Sequence, residues 1–116
     1  MIGIDIVKIE RIADKITSPS FLKGIFAASE LDYYNNSGKR TETLAGFFAA
    51  KEAVAKALGT GVNGFKLTDI EVTHTDKGAP QVTLHGEAKK LSRGSKIHIS
   101  ISHDAGIAAA VAMIKQ

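Results

Sequence analysis

Cysteine is absent from the 116 residues, and nothing in the chain approaches a membrane-spanning apolar run. The first absence excludes disulfide bridging and thiolate metal sites. Any bound cation must then sit on carboxylate oxygens or histidines, a donor set that favours a hard ion such as magnesium. The second absence, with the alternating apolar residues 2–7 directly after Met1, gives the reading of a cytoplasmic protein with neither signal nor transit peptide and no membrane partner. Aromatic residues are few, five Phe and two Tyr, and no RNA-binding signature accompanies them. Low-complexity tracts, internal repeats and linker-like shifts of composition are missing too, so the chain reads as one domain over residues 1–116 with a single core. A strong charge of one sign is also lacking. Fifteen Lys and Arg against twelve Asp and Glu give +3, too little to imply nucleic acid but enough to allow an acidic partner.

What the chain does have is a change of period. Ile2, Ile4 and Ile6 alternate with Gly3 and Asp5 as a short strand, after which Val7, Ile9, Ile12 and Ile16 fall at helical spacing. Pro19 suits a helix start, and one or two short helices cover residues 21–34 with Ser29 as N-cap, before a loop at 35–39. Thr41 or Thr43 caps a long alanine-rich helix, with Glu42 in its first turn, that runs to Leu58 and stops at Gly59. Beyond the loop at 59–64 the period becomes two. Strands around Ile70 and Val72 and around Val82 and Leu84 flank a turn at 76–80, and a short amphipathic helix covers 86–93. Residues 96–102 form a further strand, 103–106 a turn, and 107–114 a last strand apolar enough to be buried on both faces. Helices dominate the first half and antiparallel strands the second, which is the α+β class.

Glu52 and Lys56 stand four residues apart on one face of the long helix. That is the favourable order for a surface ion pair, and equally the layout of half an active site. Asp5 sits in an otherwise apolar strand, where an uncompensated carboxylate is costly, so it either caps the next helix or faces a cation. A strand-borne Asp and a helix-borne Glu meeting at one point supply two hard oxygen ligands and leave magnesium positions for water and a substrate phosphate. Lys56, one turn on, then stabilises charge on a phosphoryl group. The Gly-Thr-Gly stretch 59–61 follows a helix instead of opening one, so it is a helix stop or a close-approach loop and not a P-loop cradle. Ser102, His103 and Asp104 are consecutive and cannot assemble a nucleophile, base and orienter chain. His74, His85 and His98 lack metal-ligand spacing and read as solvated strand residues. Lys8, Arg11, Lys15 and Lys23 gather early in the chain and Lys89, Lys90, Arg93 and Lys96 late in it, runs that read first as solvated helix faces.

Taken in order, GIDIVKIERI at 3–12, FAAKEAVAKALGTG at 48–61 and ISISHD at 99–104, with SELDYY at 29–34 and GAP at 78–80, resemble the small bacterial holo-acyl-carrier-protein synthases, the stand-alone phosphopantetheinyl transferases. The resemblance covers the whole chain. It implies transfer of 4′-phosphopantetheine from coenzyme A to a serine of an apo acyl carrier protein, with release of adenosine 3′,5′-bisphosphate and a magnesium requirement, in support of fatty acid biosynthesis. By the same resemblance Asp5 and Glu52 are the metal ligands and Lys56 lies beside the transferred phosphate, while His103, with Ser102 and Gly59, contacts coenzyme A. The serine proton passes to Glu52 or to a water at the metal. Arg11 corresponds to the arginine that docks the acidic carrier, with Lys15, Phe21 and Phe48 around it. The implied fold is a 4′-phosphopantetheinyl transferase unit whose first-half helices pack on an antiparallel sheet. Three copies assemble as a homotrimer with active sites at subunit interfaces, the metal ligands coming from one subunit and His103 from its neighbour.

Two positions depart from the pattern. Val7 stands where larger relatives carry a further carboxylate, so water is expected in that coordination position. Phe47 stands where the small synthases usually have an Arg, so a coenzyme A phosphate contact is lost or passes to Lys39 or Arg40. The rival readings are a basic module that binds RNA or an acidic protein, and an inactive trimerisation domain. Scarce aromatics argue against the first, and retention of Asp5, Glu52 and Lys56 against the second.

Overall fold

The structure, a computed structural model, describes residues 1–59 and 64–115. Strand β1 (Ile2–Lys8) passes straight into α1 (Ile9–Ala13), followed by α2 (Pro19–Ile25), α3 (Ala28–Asn36) and the long α4 (Thr41–Ala57). A 3-10 turn (Leu67–Asp69) leads into β2 (Ile70–His74), then β3 (Pro80–Leu84), α5 (Gly86–Ser92), β4 (Lys96–Asp104) and β5 (Ile107–Lys115). All pairing is antiparallel. One sheet has the order β1-β5-β4, and β2 with β3 forms a separate hairpin. The class is α+β, with the helices of the first half packed on the sheet.

Local details depart from the expected caps. Ser18 caps α2 by accepting the Phe21 N–H, with Pro19 in the first turn. Ser29 does not cap α3: the N-cap is Ala27, and the Glu30 carboxylate reaches back to accept the Ala27 N–H at 2.8 Å. A carboxylate inside the first turn thus does the work expected of a hydroxyl outside it. Arg40, not Thr41 or Thr43, is the N-cap of α4. Val7 belongs to β1, and Asn35 and Asn36 extend α3 into the expected loop.

Helix α4 owes its position to small side chains. Ala45, Ala49, Ala53 and Ala57 recur every four residues and are fully buried, and Ala108, Ala110 and Ala112 of β5 are buried with them. Small groups on both surfaces let helix and sheet approach closely. At Gly3 of β1 the approach is at its limit: a Cβ there would fall 2.1 Å from the Ala53 carbonyl oxygen and 2.7 Å from the Ala57 nitrogen. Gly59 ends the helix at φ +86°, the left-handed conformation glycine takes without strain.

Strand β5 is not buried on both faces, as its composition suggests. Ala108, Ala110, Ala112 and Ile114 are buried, but Met113, which lies across from Ile2 and His98, is exposed. Ile2, Ile4 and Ile6 on that same face are between 64% and 67% exposed. A single copy therefore presents one packed sheet face and one apolar face open to water.

Candidate active site

The contact at Gly3 decides where the charged residues meet. Two residues further along the same face of β1, Asp5 projects beside α4. Glu52 and Lys56, each one position before a helix residue packed on Gly3, are carried to the same place. The Lys56 ammonium donates to Asp5 Oδ1 at 3.1 Å and to the Ile4 carbonyl at 3.0 Å. Both local alternatives posed by the sequence fall here. Among the ion pairs between described residues, Lys56 pairs across to β1 and not with Glu52 in its own helix. Asp5 caps nothing, since the N-cap of α1 is Lys8 and no side chain bonds there.

Glu52 is left partly desolvated beside Asp5. Burial first, and the charge of Asp5 second, push its carboxyl above the usual carboxylate range, while Lys56 and Arg11 pull it back. A divalent cation relieves both causes, and two hard oxygen donors beside solvent suit magnesium. Val7 is buried in the core and offers no third ligand. Among the described residues no group of three His, Asp or Glu gathers, here or elsewhere, so the protein offers two ligands at this spot. The remaining coordination positions would fall to water and to substrate oxygens.

His103 lies apart from these three residues. It lines a cavity of about 200 Å³ together with Arg40, Thr43, Phe47, Tyr33 and His74. Neither Asp5, Glu52 nor Lys56 is among the described residues that line it. Arg40 and Phe47, weighed together from the sequence, do share this cavity. Lys39 precedes it in the left-handed conformation, its N–H bonded to the Tyr34 carbonyl. Strand alternation sends Ser102 to the opposite face from His103, across from Ala109 on the open apolar side. Gly59 follows Lys56 closely, its N–H donating to the Lys56 carbonyl, and residues 60–63 of the Gly-Thr-Gly loop lie outside the described part.

On the N-terminal side, Arg11 is exposed on α1 and its charge reaches Glu52. The Lys15 ammonium sits 5.6 Å from the Phe21 ring centroid, and Phe21 packs edge-on against Phe26 at 6.2 Å. Phe48 is half-buried against the core.

Two features escaped the sequence reading. Lys51 is fully buried and ion-paired with Glu30 at 2.7 Å. Its place was visible in principle, four residues after the core residue Phe47 and three before the core residue Val54, which puts it on the apolar stripe. His74 is not a solvated strand residue either: it stacks on Tyr33 at 4.4 Å, its Nδ1 is buried without a partner among the described residues, and burial holds its pKa below the usual histidine value. His85 is exposed and paired with Glu71 at 2.9 Å, and His98 is exposed.

A small α+β unit that brings two carboxylates and a lysine to one half-open spot has the equipment of a group-transfer enzyme acting on a phosphate-bearing substrate. Residues 1–112 match the 4′-phosphopantetheinyl transferase superfamily, and the chain belongs to that family. It is 45% identical over 117 residues to a holo-acyl-carrier-protein synthase of Fusobacterium nucleatum, covering 97% of this chain and 96% of that one. It is 40% identical over 122 residues to the corresponding synthase of Clostridium perfringens, covering 98% and 92%. A solved holo-acyl-carrier-protein synthase of Helicobacter pylori, in complex with coenzyme A, superposes with a TM-score of 0.90 at 37% identity, over 99% of this chain and 100% of that one.

Proposed function

We propose that this chain transfers 4′-phosphopantetheine from coenzyme A to a serine of an apo acyl carrier protein. The serine Oγ attacks the phosphorus that bears the pantetheine arm, the bond from that phosphorus to the bridging pyrophosphate oxygen breaks, and adenosine 3′,5′-bisphosphate departs. The observation that carries this reading is the meeting of Asp5, Glu52 and Lys56 across β1 and α4 in a member of this superfamily. Asp5 and Glu52 would hold a magnesium ion, which supplies charge neutralisation to the pyrophosphate when bound. Lys56 supports the negative charge on the transferred phosphoryl oxygens. Glu52, or a water held between it and Asp5, takes the serine proton. His103 and Arg40 at the cavity, with Lys39 and Gly59, bind coenzyme A, and Arg11, Lys15, Phe21 and Phe48 receive the acidic carrier. The setting is the cytoplasm. Among the described residues no helix is long and apolar enough to cross a membrane.

The assembly is a homotrimer in which Asp5, Glu52 and Lys56 of one subunit face His103 of the next. The exposed Ile2, Ile4, Ile6 and Met113 support it, because each such side chain gains about 1.5–3 kcal/mol on leaving water. His103 also opens on a cavity that the charged trio does not line, as a shared site requires. Intact-mass analysis of an apo carrier incubated with the protein, coenzyme A and magnesium should show the phosphopantetheine adduct, and Asp5→Asn should abolish it at an unchanged unfolding midpoint. Subunits carrying Glu52→Gln and subunits carrying His103→Ala, each inactive alone, should regain activity when refolded together. Mixed assemblies as inactive as their parents would place the two groups in separate sites.

A further inference from the structure

The start of β4 and the end of β5 form a second concentration of charge that the transfer reaction does not use. A cleft of about 680 Å³ is lined there by Arg93, Gly94, Ser95, Lys96, His98 and Lys115. Three of these carry cations, one an imidazole and one a hydroxyl, and no carboxylate is among the described residues that line it. The Lys96 and Lys115 positions face each other directly in the β4–β5 ladder. Directly opposed side chains have their Cβ atoms about 4.5–5.5 Å apart, and like charges so placed destabilise a sheet. Neither lysine, nor Arg93, takes part in the ion pairs seen among described residues. Lys96 lies five residues along β4 from Ile101, the residue level with Asp5, which is about 17 Å at the usual rise per strand residue. The cleft is thus separate from the Asp5, Glu52 and Lys56 site; it opens on the sheet face that carries Met113, two residues beyond the Ile2–Met113 level and so at the rim of the subunit contact proposed above.

We propose that this cleft is a second anion site, taking a small, multiply charged phosphate whose binding offsets the Lys96–Lys115 repulsion and stabilises the sheet. A solvated pair of lysines gains nothing from being opposed, and a single monovalent ion cannot answer three cations. A diphosphate spans two ammonium groups and a guanidinium fork with charge-assisted hydrogen bonds, and Ser95 adds a neutral donor.

The test uses inorganic pyrophosphate without magnesium, with sodium chloride at matched ionic strength as control. The readouts are the urea midpoint and calorimetric binding for the wild type, Lys115→Gln and Lys96→Gln/Lys115→Gln. At low salt without pyrophosphate, both variants should be at least as stable as the wild type, because the repulsion is gone. Pyrophosphate should raise the wild-type midpoint and reverse that order, with binding about tenfold weaker for each lysine removed, as expected when one charge-assisted contact is lost. Pyrophosphate held at the transfer site moves all three proteins alike, so the difference between them reports the cleft. Equal shifts in wild type and double variant, or the same shift with sodium chloride, would overturn the proposal. So would a raised apparent KM for the acyl carrier protein in the double variant, which would make this face part of carrier docking.

Discussion

Two lysines leave helix α4 five residues apart, and each meets a carboxylate from another segment of the chain. Lys51 and Glu30 are both 0% exposed, whereas Lys56 and Asp5 are 53% and 16% exposed. The buried pair is saturated. The Lys51 ammonium donates to Glu30, to the Leu67 carbonyl at 3.1 Å and to the Ile70 carbonyl, which uses all three of its protons. Glu30 accepts in turn from the Ala27 and Val72 N–H groups at 2.8 and 2.7 Å. Burial drives the Lys51 pKa below the usual lysine value and Glu30 drives it back up. This network ties α3, α4 and β2 together, uses every donor of the Lys51 ammonium and is closed to solvent. The open pair has the opposite character. Lys56 and Asp5 share one contact, and Glu52 beside them carries a carboxyl raised by burial and by Asp5. A satisfied network fixes a fold, and an unsatisfied one at a half-open surface awaits a partner.

The comparison breaks most sharply at Lys51. Lys51→Met leaves the Glu30 carboxylate buried without its cation and should cost about 3–5 kcal/mol of stability, read from the urea midpoint. Adding Glu30→Gln removes the buried charge and should recover part of that loss, although the single amide oxygen can accept from only one of the Ala27 and Val72 N–H groups, which bond different oxygens of the carboxylate. Failure of the second substitution to help would mean that the uncompensated charge is not what makes the loss large.

Gly3→Ala strikes the other region. The added Cβ meets backbone atoms that cannot swing aside, so β1 must lift from α4. A stability loss of about 1–3 kcal/mol is expected for such overpacking. Asp5 moves with β1, so transfer activity per folded molecule should also fall while the Lys51–Glu30 pair stays intact. An active Gly3→Ala variant would show that the Asp5 position tolerates displacement.

The smallest effect concerns His74, in the aromatic cluster with Tyr33 and Phe47. Its folded pKa lies below the unfolded value of about 6.5, so the unfolded chain binds the proton more readily. Stability is therefore complete above about pH 6.5 and is lost as pH falls from there through the folded value. His74→Phe should flatten the urea-midpoint profile over that interval, and identical slopes in variant and wild type would remove His74 as the cause.

Much of this comparison was legible in the chain. The alanine spacing of α4 and the period-two pattern of the second half set the α+β class, and they put Asp5 on a strand and Glu52 and Lys56 on one helix face. What escaped was decided between distant segments. Lys56 turns to Asp5 because Gly3 brings β1 onto α4, a contact that spacing within the helix does not encode. Glu30 displaces Ser29 as the group holding the start of α3 because Lys51 and Val72, far along the chain, also need that carboxylate. The open face of β5 lies beside Ile2, Ile4 and Ile6 on β1, and an apolar strand reads alike whether its second face is packed or open.

The division between the two charge pairs is tested most directly by the rate of phosphopantetheine transfer per folded molecule, measured side by side for Glu52→Gln and Lys51→Met. The native fraction is set from each variant's own unfolding curve. Glu52→Gln should unfold at the wild-type midpoint and lose at least about a hundredfold in rate, the scale of removing one electrostatic contact to a transition state. Lys51→Met should unfold early and transfer at the wild-type rate in the molecules that remain native. A Glu52→Gln variant that turns over normally, or a Lys51→Met variant that stays folded and is inactive, would contradict the assignment of chemistry to the Asp5, Glu52 and Lys56 cluster and architecture to the Lys51–Glu30 pair.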